Sequence, residues 1–318
     1  MVKRLAVAAP FNLEATVRVL QRRPTNLIDV WEHERYRRAL RIGGKLLLIE
    51  VANRGTIDLP DLRLSILPPD ISSGERSEAA RITVKMLGLR QDSSPCQRRA
   101  EATPALRGTA LALRGMRAPR YPDFFEAFAN IIPFQQLSLN AGMSVTRQLV
   151  QRFGDVLLLG GRRYFAFPGA EVIADIRTSS LKRCGLSAKK SLALRSIAKA
   201  IASGALSARE IERLSSSEAL ERLVQLPGIG PWSAALALLR GFGRLDVFPQ
   251  ADTGAESSLT TLMHLRSRAS LARIADRFGE CRGYLYYYGL ASRLLSAGLI
   301  HPAPPALARR SGSAATAG

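Results

Sequence analysis

At 318 residues and 47% apolar side chains, the sequence is long enough for two domains with real cores, and it holds no run of 18 apolar residues that could span a membrane. Its 46 Lys and Arg against 26 Asp and Glu leave a formal net charge of +20, which points to a polyanionic partner, since each neutralised phosphate releases counterions. Cys96, Cys184 and Cys281 lie far apart without a C-x-x-C pair, and the three histidines are scattered, which argues against a disulfide framework, a zinc site and an iron–sulfur cluster and points to a reducing compartment.

The N-terminal apolar run is too short for a secretory signal and leads directly into patterned sequence. Residues 11–22 read as a helix with Leu13, Val17 and Leu20 on one face. Segments 27–31, 45–51 and 62–67 read as strands, separated by turn signals at Gly43-Gly44 and Asn53-Arg54-Gly55. From about Ser77 the period changes to that of helices, with strand patterns nearly absent. Helices are expected over 81–89, 123–139, 145–153, 188–203, 208–214 and 218–226, then over 231–241, 255–265, 270–278 and 282–297. The expected fold class is an α+β N-terminal domain (1–76) followed by a mostly α-helical region (77–300) of two subdomains flanking a cleft. A Pro-, Ala- and Ser-rich tail (301–318), expected to be disordered, ends the chain.

The segment that carries chemistry is Leu226-Pro227-Gly228-Ile229-Gly230-Pro231-Trp232-Ser233-Ala234. A helix runs into a tight turn with two glycines, and Pro231 opens the next helix, where a missing N–H costs nothing. Gly228 and Gly230 let the backbone approach another chain closely, and amides at the start of the second helix favour an anion. The result is a phosphate clamp made by backbone and blind to base sequence. Downstream, Val247-Phe248-Pro249-Gln250-Ala251-Asp252 places an acid at a helix start. Asp252 can be an ordinary N-cap, or a carboxylate kept ionised by the helix dipole to face positive charge on a sugar.

At these residues the sequence resembles the helix-hairpin-helix glycosylase superfamily, and within it the alkA-type 3-methyladenine DNA glycosylase II group. The resemblance covers most of the chain, including the N-terminal α+β region. It extends to Phe125-Glu126 through Gln135-Gln136-Leu137-Ser138, to Phe165-Ala166-Phe167-Pro168 and to Gly185-Leu186-Ser187-Ala188-Lys189-Lys190. It implies that Asp252 is catalytic, that Trp232, Tyr284 and Tyr288 line an aromatic base pocket, and that Gly228, Ile229, Gly230 and Lys189 contact DNA. Gln135 or Gln136 would fill the gap left by a flipped base. Of the four clustered tyrosines, Tyr284 and Tyr288 share a helical face at i, i+4. The lyase-type relatives carry a lysine where this sequence has Trp232, which removes the Schiff-base route. Leu236 stands where a relative has tyrosine, and Ser257-Ser258 where a basic residue is usual.

The expected activity is therefore monofunctional hydrolysis of the N-glycosidic bond of alkylated bases after base flipping, in base excision repair. The expected partner is double-stranded DNA containing damaged bases, with no membrane, a monomeric state and a cytoplasmic, nucleoid-associated location in a prokaryote. No cofactor or metal is required in this reading; a monovalent cation on the hairpin carbonyls is the one candidate. The alternatives are a glycosylase for deaminated or mismatched bases and a hairpin DNA-binding protein without activity. An RNA-binding helical module would account for the charge but not for Asp252.

Overall fold

The computed structural model describes residues 2–265 and 268–306. Much of the expected tail, 307–318, lies outside the described residues, and 301–306 carry neither helix nor strand.

Five antiparallel strands open the chain: β1 (Val2–Leu5), β2 (Val30–Glu32), β3 (Arg35–Ile42), β4 (Lys45–Asn53) and β5 (Leu62–Leu67), in the spatial order β1-β5-β4-β3-β2. Helix α1 (Leu13–Gln21) lies between the first two and starts at Asn12, whose side chain accepts from the Ala15 amide at 2.9 Å. The β3–β4 turn has φ of +57° at Gly43 and +79° at Gly44, the conformation a two-residue hairpin needs. Strand β3 escaped the sequence reading because Arg38 stands in its inward register, alongside the buried Tyr36, Leu40 and Ile42, and breaks the apolar alternation.

The helices follow: α2 (Ser73–Met86), α3 (Ser94–Glu101), α4 (Pro104–Ala112), α5 (Phe124–Ala129) and α6 (Leu139–Phe153), then α7 (Ala170–Asp175), α8 (Thr178–Lys182), α9 (Ala188–Ala202), α10 (Ala208–Arg213) and α11 (Ser216–Val224). After these come α12 (Pro231–Ala237), α13 (Thr253–Leu262), α14 (Arg268–Phe278) and α15 (Arg282–Ser296). Three expectations are corrected. The single helix expected over 123–139 is broken into α5, a 3₁₀ turn (Ile132–Phe134) and α6, because Pro133 cannot donate and Ser138 caps a new helix. Strands are present in the later part: β6 (Val156–Leu159) and β7 (Arg162–Phe165) form a hairpin turned by Gly160-Gly161. Cys96 and Cys281, 185 residues apart, are joined in a disulfide with Cα atoms 5.2 Å apart. Sequence separation says nothing about such proximity, and the reducing-compartment argument loses its basis; Cys184 is free and buried.

The sheet is covered on both faces. Tyr36, Leu47, Ile49 and Leu64 join α1 and the Ala79–Met86 face of α2 in one core, while Ala39 and Leu48 on the other face pack with Tyr164 and Ala166 of the β6–β7 hairpin. The boundary expected at residue 76 thus falls within α2. A larger core joins the helices, and α15 runs through it with ten buried residues.

A buried charge cluster joins sheet to helices. The fully buried Arg38 donates to Asp29 at 2.7 Å and to both Glu126 oxygens at 2.5 Å, and Tyr36 donates to Asp29 at 2.7 Å. One guanidinium cannot neutralise two buried carboxylates. Burial accordingly pushes the Glu126 carboxyl up to about 8, against the pull of Arg38. An acid whose folded pKa exceeds its unfolded value stabilises fully below about pH 4.5, and that stabilisation is lost as pH rises through about 8. The melting temperature of the wild type should therefore fall more steeply between about pH 4.5 and 8 than that of Glu126→Gln. Parallel melting curves across that window would remove Glu126 as the titrating group.

Candidate active site

The hairpin expected at 226–231 forms as read. Helix α11 opens with a capping box, Ser215 and Glu218 each bonding the other's backbone amide. Its last turn leads to Gly228 at φ +76°, where an added Cβ would lie 2.6 Å from the Ala193 Cβ of α9. Gly228 is fixed by both the backbone angle and the close approach of α9. Gly230 differs: its φ is −92°, it is the N-cap of α12, and nothing stands within 4 Å of where its Cβ would be. The space in front of it is open. The Ile229 side chain is 4% exposed and packs in the core, so only its backbone can face a ligand. Past α12, the helix loosens into a π turn (Leu238–Phe242).

Asp252 is the N-cap of α13 and also something more. Its Oδ1 accepts from the Ala255 amide at 2.8 Å and its Oδ2 from Trp232 Nε1 at 3.0 Å. Each oxygen holds one N–H, so the carboxylate plane is fixed while lone pairs on both atoms stay available. The preceding Ala251 has φ +63°, a left-handed conformation held by its amide donating to Glu256 Oε1 at 2.7 Å. Trp232 is thus a positioning residue for Asp252, a contact invisible in the sequence.

The loop before α6 is anchored on three sides. The Gln135 amide donates to the Gly228 carbonyl at 2.8 Å and to Ser233 Oγ at 2.9 Å, tying the loop to the hairpin. Lys190 Nζ donates to the carbonyls of Gln135 at 2.5 Å and Pro133 at 3.2 Å, and burial pulls its ammonium below the ordinary lysine value. Phe134 is pinned between α6, where a Cβ on Gly142 would collide with its ring, and the Arg22 guanidinium 5.2 Å from its centroid. Arg22 caps α1 with a strained φ of +59° and donates to Tyr286 Oη at 2.9 Å. Gln136, at φ +54°, is exposed and makes none of these bonds. Of the two glutamines, 135 is committed to the scaffold and 136 projects.

Tyr284 and Tyr288 are corrected as pocket residues. They are 1% and 2% exposed, with rings 5.4 Å apart, and Tyr284 Oη donates to the Met116 carbonyl. Helix α15 is enclosed by α1, α4, α13 and α14, so sharing a helical face gives these rings no access to solvent. Tyr286, midway between them in sequence, is the tyrosine linked to the loop, through Arg22. Lys189 is exposed on the first turn of α9, whereas its neighbour Lys190 is structural. Sequence reasoning missed Arg22, Lys190, Ser233 and Glu256; only Lys190 and Ser233 lay inside a motif that could have signalled them. Among the described residues, no three His, Cys, Asp or Glu side chains gather as metal ligands.

Residues 130–278, which carry the loop, the hairpin and Asp252, match the HhH-GPD superfamily base excision DNA repair proteins. The resemblance read from the sequence is supported over these residues. The chain is similar to the DNA-3-methyladenine glycosylase of Bacillus subtilis, at 29% identity over 221 residues, 69% of this chain and 73% of that protein. It is also similar to DNA-3-methyladenine glycosylase 2 of Escherichia coli, at 26% identity over 279 residues, 86% and 92% of the two chains. Among solved structures, the 3-methyladenine DNA-glycosylase from Archaeoglobus fulgidus superposes with a TM-score of 0.77 at 27% identity, over 92% of this chain and 99% of that one. The expected fold class, α+β followed by a helix-hairpin-helix core, is thereby established.

The two HhH-GPD turn glycines should separate by experiment. Gly228→Ala strains both backbone and α9 contact and should destabilise by about 1–3 kcal/mol in urea unfolding. Gly230→Ala should unfold within about 0.5 kcal/mol of wild type yet bind DNA more weakly, because its Cβ occupies the open approach. Equal unfolding energies for the two variants would refute the assignment.

Proposed function

We propose that the chain is a monofunctional DNA glycosylase that hydrolyses the N-glycosidic bond of alkylated bases, such as 3-methyladenine, in double-stranded DNA. The observation that carries this reading is Asp252, held through both oxygens by Trp232 and Ala255 at the side of the hairpin. The names of the relatives support the alkylated-base class, and the +20 charge suits DNA.

The chemistry follows from what the residues can supply. The Gly228 and Gly230 amides of the turn grip a backbone phosphate, and Gln136 enters the space that a flipped nucleotide vacates. Ring alkylation makes the base cationic, so the C1′–N bond breaks with its electron pair moving to the base and little acid help is needed. Positive charge then develops on the sugar, facing the oriented Asp252 carboxylate. Water adds at C1′ and loses its proton to Asp252 or solvent. Trp232 occupies the position of the lyase lysine, and its indole has no nucleophilic nitrogen to form a Schiff base. A monovalent cation on the turn would be held by backbone alone: the Leu226 and Gly228 carbonyls each accept one N–H and keep a lone pair for it. It would stiffen the turn and supply no chemistry.

The test is single-turnover base release from an oligonucleotide carrying one alkylated base. Wild type should give strand breaks only after alkali. Asp252→Asn should lower the rate by about 10²- to 10³-fold. Trp232→Phe, which removes one charge-assisted hydrogen bond, should lower it about 10- to 100-fold with substrate affinity little changed. Full base release by Asp252→Asn would overturn the mechanism. Strand breaks without alkali would overturn the monofunctional reading, and release confined to deaminated bases would replace the alkylated-base class.

A further inference from the structure

A second binding feature lies on the other side of the loop that carries Gln136. An open groove of about 530 Å³ runs between the segment after α1 and the first two turns of α6, lined by Arg23, Thr25, Asn140, Ser144 and Arg147 among others. Its size suits a nucleotide-scale ligand. No carboxylate and no aromatic ring lines it. Among the described residues neither Arg23 nor Arg147 has a salt-bridge partner, and Arg23 Nε is buried without an acceptor. Arg147 also borders a small cavity of about 20 Å³ with Asp29 and Glu126, but both of those carboxyls are bound to Arg38.

We propose that this groove seats the sugar-phosphate backbone of the strand complementary to the lesion. The position, the charge and the composition agree on that ligand. The Gln136 loop stands between two elements: Gln135 holds the hairpin on one side, and Asn140 and Ser144, just past the loop, line the groove on the other. If the hairpin grips the lesion strand, the strand left behind by the inserted Gln136 meets the groove. Two guanidinium forks match phosphate oxygens bidentately, hydroxyls of Thr25 and Ser144 and the Asn140 amide can donate beside them, and the start of the 15-residue α6 adds positive partial charge. The absence of a ring argues against a base as occupant, since a splayed base would call for a stacking platform. The proposal rests on the duplex-DNA reading of the preceding section, but it concerns binding and not base release.

The test is a cycle between protein charge and DNA charge, read by equilibrium binding to a duplex with a tetrahydrofuran abasic site, which needs no catalysis. Arg147→Ala, whose side chain is exposed, and Arg23→Ala with Arg147→Ala would be measured on native duplex. The same proteins would be measured on duplexes in which methylphosphonates neutralise the phosphates flanking the site, on one strand at a time. Neutralising the complementary strand should weaken wild-type binding about 10-fold and the double variant hardly at all, while neutralising the lesion strand should weaken both equally. The salt slope of the double variant should fall by about 1.8, two phosphates' worth at about 0.9 each, and Lys at both positions should restore most of it. Coupling to lesion-strand phosphates, no coupling to either strand, or no duplex binding by wild type would each overturn the proposal. Should the double variant fail to fold, Arg147→Ala alone carries the cycle with a slope change near 0.9. Failure of the base-release assay with coupling intact would sink the glycosylase reading and leave the groove standing.

Discussion

The Arg38 cluster is the constraint on which the geometry of the site depends. Arg38 belongs to the sheet and Glu126 to α5, and the chain leaves α5 directly into the 3₁₀ turn and the Gln136 loop. Buried ion pairs of this kind add little net stability, because desolvation offsets most of the attraction, but removing one partner strands a buried charge. What the cluster supplies is register. With Arg38 bonded to Glu126 through both oxygens, α5 has one orientation against β3, and the loop that follows inherits it. Arg22 repeats the arrangement at the other end of the same loop, reaching from α1 to Phe134 and Tyr286. The N-terminal unit therefore acts on the loop at two points.

A second economy lies in Trp232. On the monofunctional reading proposed above, the side chain that stands in place of a lyase lysine also fixes Asp252 through its indole N–H. The hairpin, the loop and the carboxylate are consequently one hydrogen-bonded unit: Gln135 binds Gly228 and Ser233, Ser233 neighbours Trp232, and Trp232 binds Asp252. A displacement of the turn on binding phosphate would be felt at both Gln136 and Asp252, which is the coupling that a base-flipping enzyme requires between grip and chemistry.

The parts legible in the sequence are those whose signals are local. Turn glycines, Pro231 at a helix start, the cap at Asp252 and the period of α9 and α11 all report on neighbours a few residues away, and the fold class and hairpin follow from them. The parts that were illegible are long-range. The i, i+4 spacing of Tyr284 and Tyr288 identifies a shared face but not whether that face is covered, and here every residue from 283 to 289 is buried. Gln135 and Gln136 are equivalent in sequence and separated only by what lies across from them. The Cys96–Cys281 bridge, the sheet-covering β6–β7 hairpin and the inward Arg38 likewise depend on partners more than 80 residues away or on a register that a charged residue disguises.

On the mechanism proposed above, the strongly positive chain must still present a locally negative point to a sugar that becomes cationic. Attraction to DNA is a property of the whole surface, whereas the charge felt at C1′ is set by the groups nearest to it. Two cations that share the electrostatic surroundings of Tyr286 with Asp252 are engaged by aromatic groups and carbonyls. Arg240, fully buried, lies 4.7 Å over the Tyr121 ring and donates to the Val19 carbonyl at 3.4 Å. Arg22 lies against the Phe134 ring and the Tyr286 hydroxyl. Each guanidinium thus faces π-density or a lone pair, which turns part of its field inward. Asp252, by contrast, accepts from two neutral N–H groups, one on each oxygen. On the proposed mechanism, the same arginine-rich composition serves long-range capture of a polyanion and short-range stabilisation of a cation, because Arg22 and Arg240 are engaged by rings and lone pairs.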